Sequence, residues 1–207
     1  MDILYQDNRI AVCLKPPGVL STDEPGGMPS LLRAALGTDC VRTVHRLDAA
    51  VGGVMVFARS RMAASILSEQ YLAVVHGMLP AEGRMQDFLL RARQDGMTRV
   101  AEAGTPGAKE ARLSYRVLAR IDDKTLVRVA LETGRTHQIR VQFSARGHAL
   151  LGDRKYGRGE TGGTALWSCR IGLFHPESGM WMTFSHAPNG IPQFSDFEDC
   201  FSNAADV

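Results

Sequence analysis

The chain has 207 residues, of which 44% are hydrophobic and 22% charged, with a formal net charge of +2. That size buries a core without disulfides or metal, and the composition is that of a globular protein rather than a disordered or fibrous one. Its four cysteines include no Cys-x-x-Cys pair, no apolar run reaches the roughly 20 residues of a membrane helix, and Met1-Asp2-Ile3-Leu4 has no basic-then-apolar start. These features argue against a zinc knuckle, a membrane span and a secretory leader, and the expected compartment is the cytoplasm, with reduced thiols. The basic residues are skewed: 20 of the 24 are arginine, the lysines being Lys15, Lys109, Lys124 and Lys155. Arginine's planar fork suits phosphate and base recognition, although an arginine-rich codon usage would give the same count.

In chain order, residues 9–14 read as a buried strand, stopped by Lys15-Pro16-Pro17-Gly18 because proline has no N–H for a ladder. Residues 29–36 read as a helix with Pro29 early and Gly37 just past its end. Residues 53–58 form a strand buried on both faces, and Ser60 can cap a helix running to Gln70. Residues 72–75 read as a strand ending at Gly77, and 92–108 as a loop or short hairpin. Residues 111–120 and 125–132 pair through a turn at Asp122-Asp123. Thr136 can cap a helix over 137–146 closed by Gly147. A glycine-rich loop at 157–163 precedes strands near 164–174 and 180–185, and the tail from Ser202 is expected to fray. Short turns between many strands argue for an α+β fold with a mixed, largely antiparallel sheet and flanking helices, in a single domain over 1–201.

Three segments carry the polar chemistry. In Val44-His45-Arg46-Leu47-Asp48, the aspartate precedes Gly52-Gly53 and a buried strand, a position from which it projects off a loop, although Asp beside glycine often only caps a turn. In Thr133-Gly134-Arg135-Thr136-His137-Gln138-Ile139-Arg140, two Arg, a His and a Gln fall within six residues at a helix start, which suits an anion or simply a solvated helix end. In the run from Gly147 to Gly157, His148, Arg154, Lys155 and Tyr156 could track a nucleic-acid backbone, or form an ordinary surface loop.

Taken in order, His45-Arg46-Leu47-Asp48, Tyr71-Leu72-Ala73-Val74-Val75-His76-Gly77, Gly134 to Arg140, and Gly147-His148 through Gly152-Asp153 to Tyr156-Gly157 resemble the successive signatures of RluA-type pseudouridine synthases. The N-terminal Leu4-Tyr5-Gln6-Asp7 and Leu14-Lys15-Pro16-Pro17-Gly18, and the late His175-Pro176, also match. The resemblance implies a pseudouridine synthase fold with a central catalytic cleft and no preceding RNA-binding module. It implies an isomerase that flips a uridine of ribosomal or transfer RNA and reattaches its uracil through C5, as a monomer, with no cofactor, no metal and no membrane partner.

The same resemblance assigns residues. Asp48 is the catalytic carboxylate, acting as nucleophile at C1′ or base at C2′; Arg140 pairs with it and keeps it ionised; Tyr71 lies against the flipped uracil. Lys15, Arg46, Arg135, His137, Arg154 and Lys155 are implied RNA contacts. Two departures stand out. Val51-Gly52 replaces the usual Thr-Ser, and the segment between Asp48 and Tyr71 is short, so that residues 68–70 are expected to serve as the loop between helix and strand. An RNA-binding protein of the same fold with impaired catalysis is the alternative this shortening raises. A hydrolase using Asp48 with His45 or His137 is a rival from another class, and it requires a carboxylate–imidazole contact.

Overall fold

Residues apolar on both faces belong inside a sheet, and residues 10–15 and 52–58, buried at every position, take central places. The structure is a computed structural model that describes residues 1–60, 66–92 and 94–201. Its elements run β1 (Ile3–Gln6), β2 (Ile10–Lys15), α1 (Met28–Leu36), β3 (Arg42–Thr43), β4 (Gly52–Ala58), β5 (Ile66–His76), β6 (Glu82–Arg91), β7 (Thr98–Ala101), β8 (Lys109–Ile121), β9 (Lys124–Leu131), α2 (Gln138–Ser144), β10 (Leu166–Phe174) and β11 (Trp181–Ser185), followed by a 3₁₀ segment, Pro192–Phe201. The chain forms two compact units.

The first unit comprises Met1–Gln70 and Trp167–Pro188. Here β2 lies antiparallel to β1 and to β4, β4 runs parallel to the start of β10, and β10 pairs antiparallel with β11. Alternate residues of β2, β4 and β10 (Ile10, Val12, Leu14, Val54, Val56, Ile171 and Leu173) bury one face as a core, with Tyr5, Val44, Met182 and Phe184 packed on it. Helix α1 starts with Pro29 near its N-terminus and ends at Gly37 in the left-handed conformation (φ 61°), as its sequence predicts.

The second unit comprises Tyr71–Leu166 and Asn189–Ser202. Strands β7, β6, β8 and β9 form an antiparallel run, each paired with the next. The turn into β9 uses Asp122 at φ 51°, a conformation Asp tolerates better than most residues. The N–H groups of Val74 and His76 donate to Ala165 and Ala149.

Three expectations need correction. The predicted helix over 60–70 partly lies outside the described residues, and from Ile66 onward the chain is strand, so Ser68, Glu69 and Gln70 are neither helix nor loop but the first half of an eleven-residue β5. Packing against strands overrides the helical composition of that stretch. The segment left unassigned at 82–91 is β6, whose only fully buried side chains are Met85 and Leu89. Helix α2 begins at Gln138 after His137, not at a Thr136 cap.

The β4–β10 contact depends on glycine, at Gly53 above all. Gly53 has φ 125°, and a Cβ there would stand 2.3 Å from the Ser168 carbonyl oxygen. Gly53→Ala should therefore lower unfolding stability by about 2 kcal/mol or more, the sum of strain and a backbone clash. Urea denaturation checks this; an unchanged midpoint would contradict it.

Candidate active site

In the first unit, the segment His45-Arg46-Leu47-Asp48 alternates in environment. The His45 imidazole turns inward, where Nε2 accepts the Val56 N–H at 3.2 Å and Nδ1 lies 3.1 Å from the Glu69 carboxylate. Arg46 is exposed, Leu47 is in the core, and Asp48 is half-buried. Asp48 opens a tight turn closed by the Val51 N–H donating to its carbonyl at 3.0 Å. The turn is tied down on both sides. Ser21 Oγ donates to the Leu47 carbonyl at 2.7 Å, and the Gly18 N–H donates to the Ala49 carbonyl at 2.7 Å.

The strongest tie is Lys15, at the end of β2. Its side chain is fully buried, and Nζ donates to the carbonyls of Pro16 (3.0 Å), Ala49 (3.1 Å) and Val51 (2.7 Å). An ammonium has three protons to place, and all three are placed on backbone oxygens. Burial pushes the Lys15 amine down, the negative charge of Asp48 pulls it back up, and the result is about 8. The lysine expected at the RNA backbone is instead an internal clamp on the Asp48 turn, because the apolar strand that carries it drags its side chain inside.

In the second unit, Arg140 lies on the buried face of α2. Its Nε and Nη2 donate to the two carboxylate oxygens of Asp153, each at 2.7 Å, and its guanidinium sits 5.2 Å from the centre of the Tyr156 ring. Asp153 also accepts the N–H groups of Lys155 and Tyr156. Burial pushes the Asp153 carboxyl up, but the bonds and charge of Arg140 and the two N–H donors outweigh it and hold the group below the ordinary carboxylate range. Asp153 was missed as a partner, although a signal existed: it is the one carboxylate in the segment 147–157, and a buried arginine requires one.

Tyr156 ties this pair to its surroundings. Its hydroxyl lies 2.7 Å from His137 Nδ1 and accepts the Thr98 N–H at 2.9 Å. His137 holds the left-handed N-cap position of α2 (φ 57°), and the Gln138 side-chain oxygen accepts the Thr133 hydroxyl and the Arg135 N–H from the chain ahead of the helix. Arg135 is half-buried, with Nε donating to the Glu110 carbonyl. Arg154 and Lys155 are exposed, and Tyr71 is buried in β5. The His45 imidazole is occupied by a backbone donor and Glu69.

Truncating Arg140 to Met leaves Asp153 buried without its counter-charge, and should cost about 3–5 kcal/mol in unfolding stability. The pH dependence has a definite sign. Asp153 is held below its unfolded value near about 3.9, so its contribution is present above that pH and is lost as the pH falls through the lower folded value. Denaturant titrations at pH 3 and pH 7 should show a smaller difference in Asp153→Asn than in the wild type; equal acid sensitivity would refute the assignment.

Comparison with known proteins identifies the family. The RNA pseudouridylate synthase family matches residues 9–145. The chain is 36% identical to the RNA pseudouridine synthase YjbO of Bacillus subtilis (strain 168), over 93% of this chain and 73% of that protein. It is 34% identical to the dual-specificity RNA pseudouridine synthase RluA of Yersinia pestis, over 89% of this chain and 97% of that protein. The human RNA pseudouridylate synthase domain containing 1 shares the fold, with a TM-score of 0.77 at 21% identity over 96% of this chain and 86% of that one. With the segments around Asp48, Tyr71 and Arg140 in family order, the chain belongs to the RNA pseudouridylate synthases, enzymes that isomerise uridine, and among them to the RluA type.

Proposed function

We propose that this chain converts a uridine of ribosomal or transfer RNA to pseudouridine, with Asp48 as the catalytic carboxylate. The observation that supports this most directly is the Asp48 turn, whose backbone is tied to Ser21, Gly18 and the buried Lys15, so that the half-buried Asp48 projects from a fixed stretch of chain. In the reaction the C1′–N1 bond breaks, the uracil turns over, C5 bonds to C1′, the C5 proton leaves and N1 is protonated. Asp48 acts at the sugar, as nucleophile at C1′ or base at C2′, and both roles need its ionised form. In this proposal Arg140 supplies counter-charge to Asp48, and Tyr71 lies against the extruded uracil and assists loss of the C5 proton. Arg46, exposed two residues before Asp48, fills the gap the base leaves. Arg135, His137, Arg154 and Lys155 contact the RNA backbone, and the enzyme works as a cytoplasmic monomer. The unbroken strand β5 from Ile66 through Tyr71 supports the active reading, since no loop stands directly before Tyr71.

Asp48→Asn keeps the size of the side chain and removes its charge. It should abolish pseudouridine formation in single-turnover assays on total RNA from cells lacking the gene, while RNA affinity stays within about twofold. Retained isomerisation by the purified variant would sink the assignment.

Lys15→Met tests the clamp. It should slow turnover at saturating RNA by at least roughly tenfold, a loss of about 1.4 kcal/mol of transition-state stabilisation, with little change in affinity. Wild-type turnover should also decline as the pH rises past about 8, where Lys15 loses its proton. The opposite split, weakened RNA binding with turnover intact, would return Lys15 to the RNA surface.

A further inference from the structure

In the first unit, the pairing that lays β4 beside β10 sets Gly52 opposite Trp167. Gly52 follows Val51, whose N–H closes the Asp48 turn and whose carbonyl receives Lys15. It is also one of the places where this chain departs from the family pattern. A glycine inside a strand marks either a backbone that other residues avoid or a neighbour too close for a side chain. Gly53 combines both, with φ 125° and the Ser168 backbone against it. Gly52 is the second case alone. Its φ is not positive, and a Cβ there would stand 2.5 Å from Cζ3 of the Trp167 indole and 2.9 Å from Pro17 Cδ.

The indole is fixed in that position. Trp167 is 5% exposed, its Nε1 donates to the His186 carbonyl at 2.8 Å, and its ring lies 6.1 Å from the His186 imidazole. Its six-membered ring therefore fills the space in which a side chain at position 52 would stand, and Pro17 borders the same space. Gly52 and Pro17 belong to the two stretches that Lys15 joins. The ammonium takes the Pro16 carbonyl from one and the Ala49 and Val51 carbonyls from the other.

We propose that Trp167 is a positioning residue for Asp48: its indole, seated on Gly52 beside Pro17, holds the Asp48 turn where the reaction needs it. Gly52 and Trp167 are then a matched pair, in which the ring takes the room that the missing side chain leaves. Misplacing a reacting group by about 1 Å costs up to roughly a hundredfold in rate. A wall that acts on the backbone of the turn therefore shows in turnover and not in RNA affinity. The inference rests on Asp48 being the catalytic carboxylate.

The test is a double-mutant cycle in the full chain. Single-turnover rate at saturating RNA, RNA affinity and folded fraction by circular dichroism are measured for each variant. Trp167→Ala and Gly52→Ser should each slow turnover at least roughly tenfold, with affinity within about twofold. Gly52→Ser/Trp167→Ala should run at least roughly tenfold faster than the product of the two single effects allows, because the added side chain enters the space the ring has left. Gly53→Ala should gain nothing from Trp167→Ala, since its clash is with backbone. Single effects that simply multiply, or weakened affinity with turnover intact, would overturn the inference. If one single variant does not fold, the other decides, and if neither folds, Gly52→Ala does. Slowed turnover at unchanged affinity in the deciding variant upholds the inference, and wild-type turnover overturns it. Asp48→Asn, assayed alongside, separates this inference from the reading beneath it. An active Asp48→Asn overturns both; an inactive one with uncoupled single effects overturns the role of Trp167 alone.

Discussion

A buried ammonium must hand each of its protons to an acceptor inside the protein, since burial shuts it off from bulk solvent. In this chain Lys15 hands its three to the carbonyls of Pro16, Ala49 and Val51, and two of those belong to the turn that carries Asp48. The constraint runs in both directions. The turn must take a shape that points the Ala49 and Val51 carbonyls inward, and the lysine must stay at the end of β2 to receive them. Desolvation of the ammonium is costly, and the negative charge of Asp48 offsets part of that cost. The Asp48 carboxylate thereby stands near a cation that is itself held in place.

The second unit solves a related problem with different groups. Arg140 is buried, so its fork needs a matching acceptor, and Asp153 provides one with both oxygens. Asp153 in turn needs more donors than arginine alone supplies, and the loop after it curls so that two N–H groups reach back. That curl places Tyr156 under the guanidinium and its hydroxyl at the bottom of β7 and the head of α2. The left-handed backbone at His137 fits the same set of contacts, since it presents Nδ1 to Tyr156 while the Gln138 side chain ties the helix start back to Arg135.

Elements legible in the sequence were those whose pattern is local or whose burial is complete. The strands β2 and β4, the helix α1 between its proline and glycine, the β8–β9 hairpin with its Asp122 turn, and the order of the four chemical segments could all be read from residues alone. The strand β6 could not, because with Met85 and Leu89 as its only fully buried side chains, its apolar signal is weak. The first half of β5 was misread as helix and loop because Ser68-Glu69-Gln70 has no strand propensity of its own; the neighbours that pair with it decide its state.

The sequence by itself determined the family, the fold class and the candidates Asp48, Tyr71 and Arg140, because those follow from residue type and order. It could not determine the partner of a charge. Lys15 looked like a surface cation beside a proline turn and is an internal clamp, and Asp153 looked like part of an RNA-tracking loop and is the counter-charge of Arg140. Burial and hydrogen bonding between residues 13 to 58 positions apart, as for Arg140 with Asp153 and Thr98 with Tyr156, are properties of the folded chain in space, and only the tertiary structure decides them.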